Sequence, residues 1–268
     1  SGGAGVLADA RTFSAFGYRA SAAITSITFQ NDQQASGTVH QTAATVRGQL
    51  ESLLEEFQIA CAKTGMLPTR EVVREVARIF REHKLPAPVV DPVMVASLGL
   101  RLMEEDALEV FIADLLPLAR LVTPNIPEAD ALSSMTITSE IEMRAAAKII
   151  RDLGARAVLI KGGHLGEQKA VSNRQKAEDP EQNAESSRQN AAGEEAIDVL
   201  DDDGAVSVFR AEFIPGAQLH GSGCILSAAI AAGLGKGMSL EDSVRQAKDF
   251  VLDALRGATQ SQNPDLSG

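Results

Sequence analysis

Short runs of apolar residues alternate along the chain with segments in which apolar residues recur every three or four positions. The runs predict buried strands at residues 20–27, 58–62, 87–90, 121–122 and 157–160. The amphipathic segments predict helices at residues 6–17, 42–57, from Pro68 onward, and at 104–116, 139–153, 223–234 and 240–255. This alternation is typical of a mostly parallel sheet with helices on both faces. The sequence therefore predicts an α/β fold.

The alternation breaks once, late in the chain. Residues 167–195 are rich in Gln, Asn, Ser, Ala and Glu, and we expect them to form a loosely ordered surface insertion or a plain solvated loop. Residues 197–200 and 206–213 then flank a polar turn and predict a hairpin. We assign residues 1–258 to one domain that carries this insertion, and residues 259–268 to a polar tail.

Composition and charge exclude several classes of function. The chain has 268 residues and a net charge of −11, so its surface repels the phosphates of nucleic acids. It holds no Trp and one Tyr, which disfavours a protein that stacks on single-stranded bases. We find no secretory leader and no apolar run of the roughly 20 residues that span a membrane. With two cysteines only, we expect a cytoplasmic protein without disulfides.

Polar and glycine-rich clusters follow nearly every predicted strand. They are Gln30-Asn31, Lys63-Thr64-Gly65-Met66, Asp91-Pro92-Val93-Met94, the segment 123–128 and Lys161-Gly162-Gly163-His164. In an open parallel sheet, ligands bind beyond the carboxyl ends of the strands. Each cluster alone is also explained by turn chemistry, but together they predict one shared crevice.

The most specific local signal is His220-Gly221-Ser222-Gly223-Cys224, which runs directly into an apolar helix. Small residues at a helix start expose backbone N–H groups that bind phosphate oxygens. The field of the helix is expected to lower the pKa of the Cys224 thiol, whose thiolate could then accept a proton from a substrate hydroxyl. A glycine cap leading into a small buried residue explains the same pattern, and the sequence leaves both interpretations open.

The other candidates also have structural alternatives. Asp91 could begin a turn at Pro92, and Asn125 with Glu128 could form a helix start. Lys161 could be a solvated strand-end lysine, and Met66 is a residue type more often found in cores than in contact with a ligand.

Taken together and in order, these motifs resemble those of the hydroxymethylpyrimidine/phosphomethylpyrimidine kinases of thiamine biosynthesis, members of the ribokinase-like superfamily. The resemblance rests on residues 1–5 with Ala8-Asp9, on Gln30-Asn31, on Lys63 to Leu67, on Asp91 to Met94, on Thr123 to Ala129, on Lys161 to His164 and on His220 to Cys224. It covers nearly the whole chain except the insertion and the tail.

The resemblance implies a ribokinase-like αβα sandwich that uses ATP and Mg²⁺, takes a small-molecule substrate and forms a homodimer. The implied reaction phosphorylates 4-amino-5-hydroxymethyl-2-methylpyrimidine and then its monophosphate. By the same resemblance, Gly221, Ser222 and Gly223 form an anion hole, Cys224 is the base and Lys161 neutralises phosphate charge. The implied pyrimidine contacts are Gly2, Asp9, Gln30 and Met66, and the implied Mg²⁺ ligands are Asp91, Asn125 and Glu128.

Three departures from the family pattern bear on the site. Ser222 stands where Thr is usual, and Leu7 stands where Gln is frequent. A first strand that family members place before Ser1 is not in the sequence, so we expect exposed strand edges near the pyrimidine pocket. A pyridoxal kinase of the same superfamily and a non-catalytic pyrimidine-binding protein remain the alternatives.

Overall fold

The computed structural model describes residues 3–31, 35–96, 99–163, 195–212 and 221–262. The helices in these ranges are α1 (Gly5–Ala15), α2 (Ala43–Glu56), α3 (Arg70–Glu82), α4 (Glu105–Val110), α5 (Ile126–Ser133), α6 (Glu140–Asp152), α7 (Ser222–Gly235) and α8 (Leu240–Gln262). The strands are β1 (Ser26–Gln30), β2 (Ala35–His40), β3 (Lys63–Thr64), β4 (Val89–Val90), β5 (Leu121–Val122), β6 (Ala157–Lys161), β7 (Glu195–Asp202) and β8 (Ala205–Glu212). A π-helical turn, Phe111–Leu115, continues α4.

A six-stranded sheet with the order β3-β4-β5-β6-β7-β8 forms the centre of the molecule. The first four strands are parallel, and β7 and β8 add an antiparallel hairpin. In the described part of the chain, β3 lies at the edge and pairs with β4 only. The predicted α/β class and the predicted hairpin are confirmed.

Successive residues of each short strand face opposite layers of helices, as the two-residue period of a strand requires. Val90, Val122 and Ile160 pack in one core with side chains from α2 to α6. Their neighbours Val89, Leu121 and Leu159 pack in a second core with α7 and α8. The sheet is therefore the middle layer of an αβα sandwich.

Side-chain caps fix where several helices begin. The Thr69 hydroxyl accepts a hydrogen bond from the Val72 N–H, so α3 begins at Arg70 rather than at Pro68 as predicted. The Pro68 carbonyl instead accepts from the N–H of Glu104. A similar serine cap at Ser139 starts α6 within one residue of its predicted start.

The prediction for residues 20–27 is wrong. Strand β1 begins at Ser26 and pairs antiparallel with β2 in a separate two-stranded sheet. Ile27, the last residue of the predicted buried strand, is 52% exposed. An apolar run indicates a strand but not its partner, and β2 has too few apolar residues to be predicted.

Three other boundaries differ. The predicted strand at 58–62 is irregular, and the extended pairing starts only at Lys63 in β3. Glu195, the last residue of the predicted insertion, is the first residue of β7, and residues 164–194 lie outside the described ranges. Helix α8 continues to Gln262, four residues into the predicted tail. None of the described helices combines the length and the apolar character needed to cross a membrane.

Candidate active site

The carboxyl ends of β3 to β6 open into one cavity of about 1280 Å³. Its lining includes eleven of the twelve side chains or glycines that the sequence predicts for the site, namely Asp9, Gln30, Met66, Asp91, Asn125, Glu128, Lys161, Gly221, Ser222, Gly223 and Cys224. Gly2, the twelfth, lies outside the described residues, as do His164 and His220. The predicted shared crevice is thus present.

Asp91 follows β4 and is 3% exposed. Its Oδ1 lies 2.9 Å from the Nζ of Lys161 at the end of β6 and accepts from the Thr123 hydroxyl at 3.2 Å. The Ser227 hydroxyl donates to Oδ2 at 3.4 Å. Burial opposes the charge of Asp91, but Lys161, Lys63 and these hydrogen bonds outweigh it and hold its pKa below the usual range. Asp91 is therefore a buried, charged carboxylate in the cavity wall and more than a turn residue.

Asn125 and Glu128 start α5 with a capping box. The Glu128 N–H donates to Asn125 Oδ1 and the Asn125 N–H donates to Glu128 Oε2, both at 2.9 Å. The interpretation of this pair as a helix start is therefore confirmed. Both residues also line the cavity. Burial, aided by the negative charge of Asp91, raises the pKa of Glu128 to about 7.

The glycine-rich start of α7 packs against two other parts of the site. Gly221 has φ +84°, and a Cβ built on it would lie 2.1 Å from the Gly3 carbonyl oxygen. A Cβ on Gly223 would lie 3.2 Å from the Lys161 Nζ. Since Gly221 has no side chain to cap α7, the first N–H groups of this helix are suited to bind an anion.

Cys224, the third residue of α7, is half-buried in the cavity wall. Burial raises the pKa of its thiol, and the charges of Asp91 and Asp9 add to this. The charge of Lys63 and the Gly5 N–H, which donates to the sulfur, lower it by less. The expectation of a lowered pKa is therefore wrong for the ligand-free protein, because burial outweighs the helix field.

The sequence missed one charged group of the site, Lys63. Its Nζ lies 2.8 Å from each carboxylate oxygen of Asp9, and its side chain is 2% exposed. Burial raises the pKa of Asp9 despite this partner. The sequence did contain a signal, because Lys63 directly follows the predicted strand at residues 58–62 and belongs to one of the polar clusters of the predicted crevice. Only Met66 of this cluster was assigned a role.

The predicted pyrimidine contacts come from two other elements of the cavity wall. Gln30 ends β1, and Met66 follows β3, with its carbonyl accepting from the Thr25 hydroxyl at 2.7 Å. Leu7, a position where the family pattern differs, is 55% exposed and also lines the cavity. The structure thus places Gln30 and Met66 with the phosphate-binding candidates.

The described residues contain no group of three His, Cys, Asp or Glu side chains arranged to hold a metal by themselves. Mg²⁺, however, is usually bound through one or two carboxylates together with substrate phosphates and water. Asp91 and Glu128 supply two buried carboxylates close enough for the charge of one to raise the pKa of the other. Asn125 adds an amide oxygen, so the donor set fits Mg²⁺ bound with a nucleotide.

An αβα sandwich whose parallel strands end at a cavity with buried lysines, buried carboxylates and a glycine-rich helix start is the architecture of a ribokinase-like kinase. The chain belongs to the phosphomethylpyrimidine kinase family, whose family model matches residues 1–265.

Curated relatives and solved structures agree with this family. The chain is 37% identical over 258 residues to the hydroxymethylpyrimidine/phosphomethylpyrimidine kinase of Rhizobium meliloti, covering 96% of this chain and 87% of the relative. It is 36% identical to the thiamine biosynthesis bifunctional protein ThiED of Geobacter sulfurreducens, covering 95% of this chain and 47% of that protein. The chain thus spans about half of that bifunctional relative.

Among solved structures, the phosphomethylpyrimidine kinase of Clostridium difficile matches with a TM-score of 0.74 and 30% identity, over 95% of this chain and 94% of that one. The pyridoxal kinase of Staphylococcus aureus in complex with AMP-PCP matches with a TM-score of 0.77 and 31% identity, over 95% and 83%. The ribokinase-like fold and the kinase family expected from the sequence are confirmed.

Proposed function

We propose that the protein transfers the γ-phosphoryl group of ATP to the hydroxymethyl group of 4-amino-5-hydroxymethyl-2-methylpyrimidine, and then to the resulting monophosphate. The observation that carries this proposal is the single cavity in which the anion-binding start of α7, Lys161 and Cys224 lie together with Gln30 and Met66. Such a cavity holds a phosphoryl donor and a small ring side by side, as transfer requires.

Each group in the cavity has a chemical part in this proposal. The N–H groups of Gly221, Ser222 and Gly223 bind the phosphoryl group in flight, and the ammonium of Lys161 neutralises its charge. Cys224, once deprotonated, accepts the proton of the hydroxymethyl group.

Asp91, Glu128 and Asn125 would hold Mg²⁺, which supplies charge neutralisation to the phosphates of ATP. The raised pKa of Glu128 supports this placement, because it comes from burial and from the negative charge of Asp91, and a bound cation offsets both. Lys161, already paired with Asp91, limits how much negative charge is left for the metal.

Gln30, Met66 and Asp9 form the pocket for the pyrimidine in this proposal, and Gly2, which lies outside the described residues, is a further contact that the family resemblance implies. The Gln30 side-chain amide can both donate and accept, as the aminopyrimidine edge requires. Met66 supplies an adaptable apolar contact for the ring. A homodimer, a cytoplasmic location and the single domain over residues 1–258 stay predictions.

A second candidate is a pyridoxal kinase, because solved pyridoxal kinases share this fold at a comparable TM-score. The S. aureus pyridoxal kinase matches this fold with a TM-score of 0.77, against 0.74 for the C. difficile phosphomethylpyrimidine kinase. Both rings carry a hydroxymethyl group, so the catalytic groups at the start of α7 serve either substrate.

Mass spectrometry of the products, after incubation with Mg-ATP and each of the two rings, tests the proposal. We expect the pyrimidine to appear with one and then two added phosphates, and pyridoxal to react more slowly. Omitting Mg²⁺ and adding EDTA is the control for the metal requirement. Faster turnover of pyridoxal would replace the pyrimidine assignment, and no product from either ring would refute the kinase activity.

A further inference from the structure

We propose that Lys63 is a positioning residue that stabilises the Cys224 thiolate, and that it therefore controls the first phosphoryl transfer far more than the second. The part of this inference that concerns the two phosphoryl transfers rests on the proposed function. The link between the two side chains rests on the geometry of the cavity and on the charge effects that Lys63 and Cys224 exert on each other.

Lys63 occupies a position in which its charge acts on the interior of the site. It begins the edge strand β3, its side chain is 2% exposed, and both Asp9 oxygens hold its Nζ at 2.8 Å. A Cβ on Gly65 would lie 3.4 Å from the same Nζ, so the turn after β3 closes over the ammonium. Lys63, Asp9 and Cys224 line the same cavity.

The thiol of Cys224 lies where two helix starts meet. Gly5, the first residue of α1, donates its N–H to the sulfur, while Cys224 itself is in the first turn of α7. A Cβ on Gly221 would lie 2.7 Å from the Ala4 Cα, so the two helix starts are in direct contact. Asp9 lies four residues after Gly5 in α1, on the same face of the helix, and it holds the Lys63 ammonium, so the Lys63–Asp9 pair lies one helical turn from the N–H that contacts the sulfur.

Four charged groups from four elements act on the sulfur. Lys63 on β3 and Lys161 on β6 favour the thiolate, whereas Asp9 on α1 and Asp91 after β4 oppose it. Among these charges, Lys63 has the largest effect on the thiol, and Cys224 has the largest effect of any charge on Lys63. Each lysine is paired with one carboxylate, Lys161 with Asp91 and Lys63 with Asp9, so the larger charge effect on the thiol makes Lys63 the main counter-charge of the thiolate.

The two transfers differ in their need for a base. In the first, the O–H bond of the hydroxymethyl group breaks, its proton goes to the Cys224 sulfur, the oxygen bonds to the γ-phosphorus and ADP leaves. In the second, the acceptor is a phosphate monoester with a second pKa of about 6, whose oxygen is already ionised at neutral pH. That oxygen attacks without giving up a proton, so the thiolate is not required.

A purely structural ion pair makes a different prediction from this proposal. If Lys63 and Asp9 only stabilise the fold, removal of either partner should have the same effect on Cys224. If their charges act on the thiol, Lys63→Met should raise its pKa and Asp9→Asn should lower it. The two variants break one ion pair from opposite ends, and each serves as the matched control of the other.

The experiment measures the rate of iodoacetamide alkylation against pH, with peptide mass spectrometry to separate the two cysteines. We expect the apparent pKa of Cys224 to rise by about one unit or more in Lys63→Met, to fall in Asp9→Asn, and to return toward the wild-type value in Lys63→Arg. Cys61, whose thiol pKa burial raises to about 11, is the internal reference. Shifts in the same direction for Lys63→Met and Asp9→Asn, or no shift, would overturn the proposal.

The second readout compares the two transfers in the same variants. Lys63→Met should slow phosphorylation of the hydroxymethyl compound at least tenfold more than that of its monophosphate. Arg120→Met, which breaks a bidentate ion pair with Asp202 at the amino end of β5, on the side of the sheet away from the cavity mouth, should leave this ratio unchanged. An equal loss of both transfers in Lys63→Met would refute the inference.

Failure of the kinase proposal is separate from failure of this inference. Alkylation is measured on the ligand-free protein, so it reports the coupling of Lys63 to Cys224 even if no ring is phosphorylated. If Lys63→Met does not fold, Asp9→Asn and Lys63→Arg still decide the outcome, because a lowered thiol pKa in the first and a near-normal one in the second are required.

Discussion

The Lys161 ammonium lies 2.9 Å from Oδ1 of Asp91, although 70 residues separate the two in the chain. Asp91 follows β4 and Lys161 ends β6, with β5 between them in the sheet. Both side chains are withdrawn from solvent, with 4% and 17% of their surface exposed. The pair is therefore a buried salt bridge at the floor of the cavity.

Removal of one partner of this pair should destabilise the fold strongly. We expect Lys161→Met and Asp91→Asn each to lower the free energy of unfolding by about 3–5 kcal/mol, because each leaves an uncompensated buried charge. The double variant should lose less than the sum of the two. Urea unfolding in a double-mutant cycle measures this coupling, and strictly additive losses would contradict the pairing.

Cys224→Ala should fold but lose most of the first phosphoryl transfer. Removal of a general base typically lowers the rate by about 10²–10⁴-fold, while the anion-binding N–H groups of α7 remain. The measurement is kcat for the hydroxymethyl substrate, with Cys61→Ala as the matched cysteine control. Near-wild-type turnover would remove Cys224 from the role of base.

The titration of Glu128 should be visible in the stability of the metal-free protein. Burial raises its pKa from 4.5 to about 7, so between these values the folded state binds more protons than the unfolded state. The free energy of unfolding should therefore fall as pH rises through this window, by about 3 kcal/mol in total from this group.

Glu128→Gln tests this contribution. Its amide oxygen can still accept from the Asn125 N–H and keep the capping box, but it cannot titrate. Urea unfolding in EDTA between pH 4.5 and 7 should show a flatter pH dependence in the variant. The same slope in both proteins would mean that Glu128 has a normal pKa.

Gln30→Ala should change which ring the protein prefers. If the Gln30 amide bonds the aminopyrimidine edge, its loss leaves a polar partner unpaired at a cost of about 1–3 kcal/mol. Pyridoxal lacks that amino group, so the preference for the pyrimidine should fall by roughly tenfold or more. Measurement of kcat/KM for both rings, in the wild type and in Gln30→Ala, tests this change in preference. An equal loss of kcat/KM for the two rings would mean that Gln30 has a structural role.

Gly221→Ala should destabilise the fold by far more than the strain of a left-handed backbone alone would. Gly221 and Gly237 both have positive φ, +84° and +79°, but a Cβ meets the Gly3 carbonyl at 2.1 Å only at Gly221, and open space at Gly237. Gly237→Ala should therefore show only the conformational cost, about 1–2 kcal/mol. Thermal melting should show a larger loss for Gly221→Ala, and equal losses would disprove the contact between α1 and α7.

Local features of the sequence determined the helices, the α/β class and the set of residues around the cavity. Helices α2 and α6 were predictable from apolar periodicity. The capping box of α5 was predictable because Glu128 stands three residues after Asn125. The order of the motifs resembles that of the kinase family, and the shared crevice was predictable because parallel strands bring their carboxyl ends to one side of the sheet.

Tertiary structure alone decided the properties that depend on distance between remote residues. The Lys63–Asp9 pair joins positions 54 residues apart, and no local pattern marks it. The direction of the Cys224 pKa is a balance between burial and four charges from separate elements, so the helix position by itself predicted the wrong sign. Strand β1 was misplaced for the same reason, because an apolar run reveals its own conformation but not the strand with which it pairs.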